Sequence, residues 1–186
     1  MRIISGYLKG RKITQPNNKC TRPLKDLTKE SIFNILQHSN LITFNLKKSK
    51  ILDIFSGVGS FGLECISRGA QNIIFCENYY EAIKILKKNI IDFQCEQKTE
   101  IITEDIFNIK NLNQLYKKKF EVIFLDPPYK EKKLTNLLDN IISLKLLKNN
   151  GVIIIHRHKK EEEIYPSKFK ILKIKTYGIS KIIFGN

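Results

Sequence analysis

Asp126-Pro127-Pro128-Tyr129 follows the apolar run Phe120–Leu125, and together these four residues suit a planar amine. A carboxylate and a backbone carbonyl can each accept one hydrogen of an NH2 group, and a tyrosine ring can stack on the ring that carries it. The two prolines fix φ at about −65° and remove two N–H donors, so the apolar run ends abruptly at Asp126. In an open α/β sheet, the C-terminal edge of a strand is where ligands bind. The plain alternative is an ordinary strand-ending turn, because Asp and Pro are common turn formers.

A second motif fits the same edge. Ile51-Leu52-Asp53-Ile54-Phe55-Ser56-Gly57-Val58-Gly59-Ser60-Phe61-Gly62 reads as a short strand, a glycine-rich turn and the opening of a helix near Ser60. Gly57-x-Gly59-x-x-Gly62 also matches the dinucleotide fingerprint, and Glu77 lies at a suitable distance to hold a ribose hydroxyl. A nicotinamide enzyme is therefore a competitor. Asp53 argues against it, because an acidic group leading into the loop is badly placed for a pyrophosphate at the helix N-terminus. The same group is well placed for a ligand with a cationic amino-acid end, such as S-adenosylmethionine.

The elements that must position these motifs follow from periodicity. From Lys50 onward, strands are expected near 50–54, 71–76, 100–103, 120–125 and 152–156. Helices are expected near 60–68, 79–93, 111–117 and 131–143. The 79–93 helix carries Tyr79, Ala82, Ile83, Leu86, Ile90 and Phe93 on one face. This alternation predicts an α/β fold, with a parallel sheet covered by helices on both faces. Lys168–Thr176 and Ile179–Phe184, joined at Tyr177-Gly178, read as a closing antiparallel hairpin. Five parallel strands plus such a hairpin is the Rossmann-like layout of Class I methyltransferases. Upstream, residues 2–14 read as a hairpin that turns at Ser5-Gly6, and Thr28–Gln37 as a helix. Two units are expected: a basic N-terminal extension at 1–46 and a catalytic domain at 47–186.

Hydrophobic content of 42% in 186 residues is enough for a core. No apolar run reaches membrane-span length, and the first residues lack a signal-peptide core. A cytoplasmic, monomeric protein is expected. Cys20, Cys65, Cys76 and Cys95 show no Cys-x-x-Cys spacing, and Cys65 and Cys76 read as small core residues. His156-x-His158 reads as a solvated loop rather than a metal pair, and no metal site is expected. Lys and Arg number 33 against 18 acids. Coding bias alone can enrich Lys, but residues 1–30 hold eight basic residues against two acidic ones. Such a segment favours a polyanion, most simply nucleic acid, with Arg2, Lys9, Arg11, Lys12 and Arg22 as candidate contacts.

Asp53-x-Phe55-x-Gly57-x-Gly59 together with Asp126-Pro127-Pro128-Tyr129 resembles the S-adenosylmethionine-dependent amino methyltransferases. Other segments narrow this: Arg2-Ile3-Ile4-Ser5-Gly6, Gly10-Arg11-Lys12, Thr21-Arg22-Pro23, Phe33-Asn34-Ile35-Leu36, Gly62-Leu63-Glu64, Ser67-Arg68-Gly69-Ala70 and Tyr177-Gly178. Nearly the whole chain is similar to the bacterial RsmD family, whose members methylate the exocyclic N2 of guanine 966 in 16S ribosomal RNA. The chain departs from the family pattern at Leu27, where Arg is usual, and at His156, where Glu is common. The resemblance implies that Phe55, Ser56, Gly57 and Gly59 lie against the cofactor, with Asp53 near its methionine end. It also implies that Glu77 accepts from the ribose hydroxyls and Asp105, or the adjacent Glu104, from the adenine amino group. Asp126, Pro127, Pro128 and Tyr129 become the catalytic set, and 16S RNA or the 30S particle the partner. Two alternatives stay open: an adenine-N6 or cytosine-N4 methyltransferase, and a non-catalytic RNA-binding module with a relict cofactor site.

Overall fold

A computed structural model of the chain describes residues 1–16, 24–40 and 43–186. Cys20 and Arg22 fall outside the described residues. One seven-stranded sheet organises the molecule. Its strands are β1 (Lys50–Ile54), β2 (Asn72–Cys76), β3 (Thr99–Ile102), β4 (Phe120–Leu125), β5 (Leu147–His158), β6 (Ile171–Tyr177) and β7 (Ser180–Gly185). They lie in the order β3-β2-β1-β4-β5-β7-β6. The first five are parallel, and β7 runs antiparallel between β5 and β6. The expected parallel sheet with a closing hairpin is thus observed. The strand order reverses between β1 and β4, so Asp53 and Asp126 stand at neighbouring strand ends beside the switch point.

Side chains alternate across the sheet and build two cores. Ile51, Val122, Phe124 and Ile154 face one layer with α1 (Asp26–His38), α2 (Ser60–Ser67) and α3 (Tyr80–Asp92). Leu52, Ile123, Leu125 and Ile155 face the other, with α4 (Ile109–Asn113) and α5 (Leu134–Ser143). Cys65 and Cys76 are buried in these cores, as expected. No helix among the described residues is long and apolar enough to cross a membrane.

Several boundaries move for identifiable reasons. Helix α4 begins at Ile109, ahead of the expected 111, because the Asn108 side chain caps the Lys110 N–H at 3.0 Å. Helix α5 begins at Leu134 rather than 131, because the Glu131 carboxylate takes the Lys133 N–H and the Glu131 carbonyl is held elsewhere. Strand β5 outruns the expected 152–156. It pairs with β4 from Leu147 and with β7 as far as His158.

The expected N-terminal hairpin forms around an antiparallel bridge of Arg2 with Lys12, with Ile3 N–H bonded to the Arg11 carbonyl at 2.9 Å, Gly10 N–H to the Ile3 carbonyl at 2.9 Å and Ile13 N–H to the Met1 carbonyl at 3.1 Å. The N–H groups of its turn are spent on α2. The Ile4 and Ser5 N–H groups bond the Glu64 carboxylate at 2.8 and 3.0 Å. The Tyr7 N–H bonds the Ser67 carbonyl, and the Leu8 N–H the Ser67 hydroxyl. Gly6 is obligatory here. Its φ is +85°, and an added Cβ would come within 1.9 Å of the Ser67 carbonyl oxygen. Ile3, Leu8 and Ile13 join the same core as Ile51 and Phe61.

Glu64 anchors this docking. It also bonds the Arg68 Nε at 2.8 Å and lies 3.6 Å from the Lys29 ammonium, with both Glu64 and Lys29 side chains fully buried. Burial lowers the Lys29 pKa, and Glu64 and Asp26 partly offset that. Glu64→Ala strands these charges and two backbone donors. Breaking a buried pair is expected to remove about 3–5 kcal/mol of stability, read as a lower urea midpoint. A loss below about 1 kcal/mol, typical of surface pairs, contradicts the anchoring role.

Candidate active site

The loop after β1 takes its shape from glycines and from one strained residue. Phe55 has φ +60°, uncommon for a bulky side chain, and its ring packs against Phe107 at 5.4 Å. The turn is tied down by Ser56 N–H to the Cys76 carbonyl at 3.1 Å and Gly59 N–H to the Ser56 carbonyl at 2.9 Å. Gly57 faces open space. By contrast, a Cβ on Gly62 would strike the Phe75 ring at 2.3 Å, so that glycine lets α2 approach the sheet.

Asp53 is 1% exposed, and one of its oxygens accepts the Gly62 N–H at 2.9 Å. Helix α2 has no side-chain cap of its own at Gly59. The strand carboxylate therefore caps it from below, complementing the helix dipole. Burial raises the Asp53 pKa well above the carboxylate range. The Gly62 bond lowers it, and nearby Asp126 and Glu77 raise it further. A pyrophosphate at this helix end would meet Asp53. A cationic group would be attracted by the same three carboxylates.

Glu77 closes β2 and shapes the loop from the side. One oxygen accepts the Gly57 N–H at 2.7 Å and the other the Tyr79 N–H at 2.8 Å. Each carboxylate oxygen keeps a further lone pair for a ligand hydroxyl.

These residues open on one cavity of about 410 Å3, a size that suits a cofactor. Asp53, Phe55, Ser56, Gly57 and Glu77 line one part of it, and Asp126, Pro127, Pro128 and Tyr129 line another. Met1, Gln15 and Leu24 contribute a wall from the N-terminal segment. Gly59 is not among the lining residues. Nor are Glu104 and Asp105, whose carboxylates accept the Thr103 and Phe107 N–H groups. Two lining residues carry a buried polar atom without a hydrogen-bond partner, Asp53 Oδ1 and Ser56 Oγ. In native proteins such orphans are rare, and a ligand with an ammonium and a carboxylate fits both.

The Asp-Pro-Pro-Tyr turn is held by two consecutive residues of β5, neither of which the sequence placed at the site. His156 was expected in a solvated loop. It is instead 3% exposed, inside the strand, with Nδ1 2.9 Å from Asp126 Oδ1 and Nε2 2.9 Å from the Ser180 hydroxyl. The register explains this. Ile155 pairs with Leu125, so the next residues of these parallel strands, His156 and Asp126, emerge side by side. Arg157 points to the opposite face and is 1% exposed. Its guanidinium donates to the carbonyls of Pro128 at 2.8 Å, Tyr129 at 3.0 Å and Glu131 at 3.2 Å, and it is paired with Glu163. The Tyr129 ring meets His158 edge-on at 5.0 Å.

With this geometry in hand, the chain can be set beside known proteins. A family profile described as Conserved hypothetical protein 95 matches residues 1–186. Ribosomal RNA small subunit methyltransferase D of Haemophilus influenzae is 34% identical over 184 residues, covering 96% of this chain and 90% of that protein. The protein of the same name from Buchnera aphidicola (subspecies Acyrthosiphon pisum) is 36% identical, covering 93% and 86%. The chain belongs to this family of S-adenosylmethionine-dependent methyltransferases. Among solved structures, a Thermus thermophilus protein superposes with a TM-score of 0.77 at 21% identity, covering 99% of this chain and 98% of that one. The ribosomal RNA methyltransferase AviRa of Streptomyces viridochromogenes superposes with a TM-score of 0.69 at 13% identity, covering 92% and 88%. Both show the same fold.

Glu77→Ala removes the acceptor of the Gly57 and Tyr79 N–H groups and the carboxylate expected to take a ribose hydroxyl. A charged hydrogen bond contributes about 1.5–3 kcal/mol, so calorimetry should show at least ~10-fold weaker S-adenosylmethionine binding. NAD should not bind the wild type. Unchanged cofactor affinity in the variant, or tight NAD binding, contradicts the assignment.

Proposed function

We propose that this protein transfers a methyl group from S-adenosylmethionine to the exocyclic N2 of a guanine in small-subunit ribosomal RNA. The observation that carries the proposal is one shared cavity. The cradle of Asp53, Ser56 and Glu77 and the amine-accepting turn of Asp126, Pro127 and Tyr129 both open on it. The choice of ribosomal RNA is supported by the relatives' names, and that of guanine by the resemblance of residues 2–12 and 21–36.

When bound, the cofactor supplies a sulfonium-activated methyl group, whose carbon–sulfur bond breaks with its electrons going to sulfur as the new carbon–nitrogen bond forms. This chain's residues handle the other partner. An exocyclic amine shares its lone pair with its ring. Asp126 and the Pro127 carbonyl accept its two hydrogens, favour pyramidal nitrogen, and stabilise the positive charge that develops. The proton shed by the alkylated nitrogen passes to the Asp126 carboxylate and then to solvent. Tyr129 fixes the ring plane, and positioning supplies much of the remaining acceleration. An unstacked loop nucleotide suits such a site, because extracting a paired base costs a few kcal/mol.

Arg2, Lys9, Arg11 and Lys12 are exposed on the segment that walls the cavity, and we assign them to the RNA backbone together with Arg22. Arg11 also has a structural task. It donates to the Asp92 carbonyl at the end of α3 and lies 4.9 Å above the Phe93 ring. Lys9 and Lys12 are therefore the cleaner probes.

The deciding experiment incubates the protein and labelled cofactor with small-subunit RNA from a strain lacking the gene, then identifies the nucleoside by mass spectrometry. N2-methylguanosine at one site supports the proposal, and N6-methyladenosine or N4-methylcytidine overturns the choice of base. Asp126→Ala is expected to bring turnover to background with cofactor affinity retained, and substantial residual turnover contradicts the role of Asp126. Replacing Lys9 and Lys12 with alanine should lower the slope of log affinity against log salt by about 1–2 units. An unchanged slope places this segment away from the RNA.

A further inference from the structure

We infer that His156 is a positioning residue for methyl transfer, holding the Asp126 carboxylate in the orientation that accepts the substrate amine. The inference rests on the amine-methylating reading above.

The polar arrangement fixes the roles of both ring nitrogens. An ionised carboxylate can only accept, so the 2.9 Å contact from Nδ1 to Asp126 requires a proton on Nδ1. In the neutral ring Nε2 is then an acceptor, and the Ser180 hydroxyl 2.9 Å away donates to it. The Ser180 hydroxyl, which can donate or accept, accommodates the tautomer that Asp126 requires and holds the ring from β7. Both contacts lie on the sheet face that carries Phe124 and Ile154, and the ring is 3% exposed.

Packing alone does not explain a histidine here, since Val152 and Ile154 fill the preceding positions on this face with hydrocarbon. The imidazole reaches the one side chain of the proline turn that carries a charge, and that side chain lines the cavity. With the Asp126 torsion fixed, one carboxylate oxygen is committed to the strand and the group is aimed. A misplacement of about 1 Å at such a site can cost ~100-fold in rate.

Asparagine and glutamine separate positioning from packing. The Asn side-chain nitrogen is as far from Cα, counted in bonds, as Nδ1, and can donate to Asp126. The Gln nitrogen is one bond further out and reaches toward Ser180 instead. With small-subunit RNA as substrate, His156→Ala and His156→Gln should lose about 10-fold or more in kcat. The KM for RNA and the cofactor Kd should stay within about two-fold of wild type, and His156→Asn should restore most of kcat. Equal losses in the Asn and Gln variants, or full kcat in the Ala variant, overturn the inference. If the ring variants do not fold, Ser180→Ala leaves the ring in place and should lower kcat several-fold at unchanged cofactor affinity. Unchanged kcat there is contrary. Nitrogen-15 NMR of the wild-type imidazole supplies a readout without RNA. An Nδ1–H tautomer that is lost in Asp126→Ala supports the inference, and an Nε2–H tautomer overturns it. A wild type inactive on the RNA but showing the Nδ1–H tautomer refutes the substrate reading and leaves the His156 geometry standing.

Discussion

The proline turn depends on a buried guanidinium. Two prolines deny residues 127 and 128 their N–H donors, so the turn's own backbone contributes little beyond the Glu131 N–H bond to the Pro128 carbonyl at 3.0 Å. Arg157 supplies donors from the neighbouring strand and satisfies the carbonyls of Pro128, Tyr129 and Glu131. An unpaired buried Arg would cost several kcal/mol. Glu163 and the three carbonyls offset that cost and convert it into a fixed loop shape. Consecutive residues of β5 project to opposite faces, so His156 controls a side chain on one face while Arg157 controls backbone on the other.

The same alternation gathers the chemistry. Asp53, Asp126, His156 and Ser180 stand on four strands but share one face and one edge of the sheet. The helix above that face is capped by Asp53 and clamped to the N-terminal segment by Glu64 and Ser67. Because Met1, Gln15 and Leu24 line the cavity, the segment that carries the basic side chains also shapes the pocket. Under the proposed RNA-binding role of that segment, phosphate contacts and base placement would be coupled mechanically.

Much of this was legible in the sequence. Strong periodicity marked the strands and α3, and the glycine turn and the proline turn fell on the two strands that flank the switch point. The N-terminal segment was harder. Alternation suggested the hairpin that forms between Ile3 and Arg11, but not that Glu64 and Ser67, some sixty residues away, take the Ile4, Ser5, Tyr7 and Leu8 N–H groups of its turn. His156 was misplaced in a loop, and Arg157 missed, for a related reason. Their partners are fixed by register between strands thirty residues apart, which one-dimensional patterning does not encode. A cue was present: counting back from the ends of the two apolar runs, Phe120–Leu125 and Val152–Ile155, sets His156 level with Asp126. Asp105 shows the opposite limit. Its place after β3 is right, yet its carboxylate turns to the Phe107 N–H rather than into the cavity.

The most direct measurement is a structure of the protein with S-adenosylhomocysteine and an RNA fragment carrying the acceptor loop. The account predicts a guanine on Tyr129, with its N2 at ordinary hydrogen-bond distance, about 2.9–3.0 Å, from both Asp126 and the Pro127 carbonyl, and facing the cofactor sulfur. A structure in which Asp126 turns away from the base, or in which the bound base presents a ring atom rather than an amine to the sulfur, contradicts it.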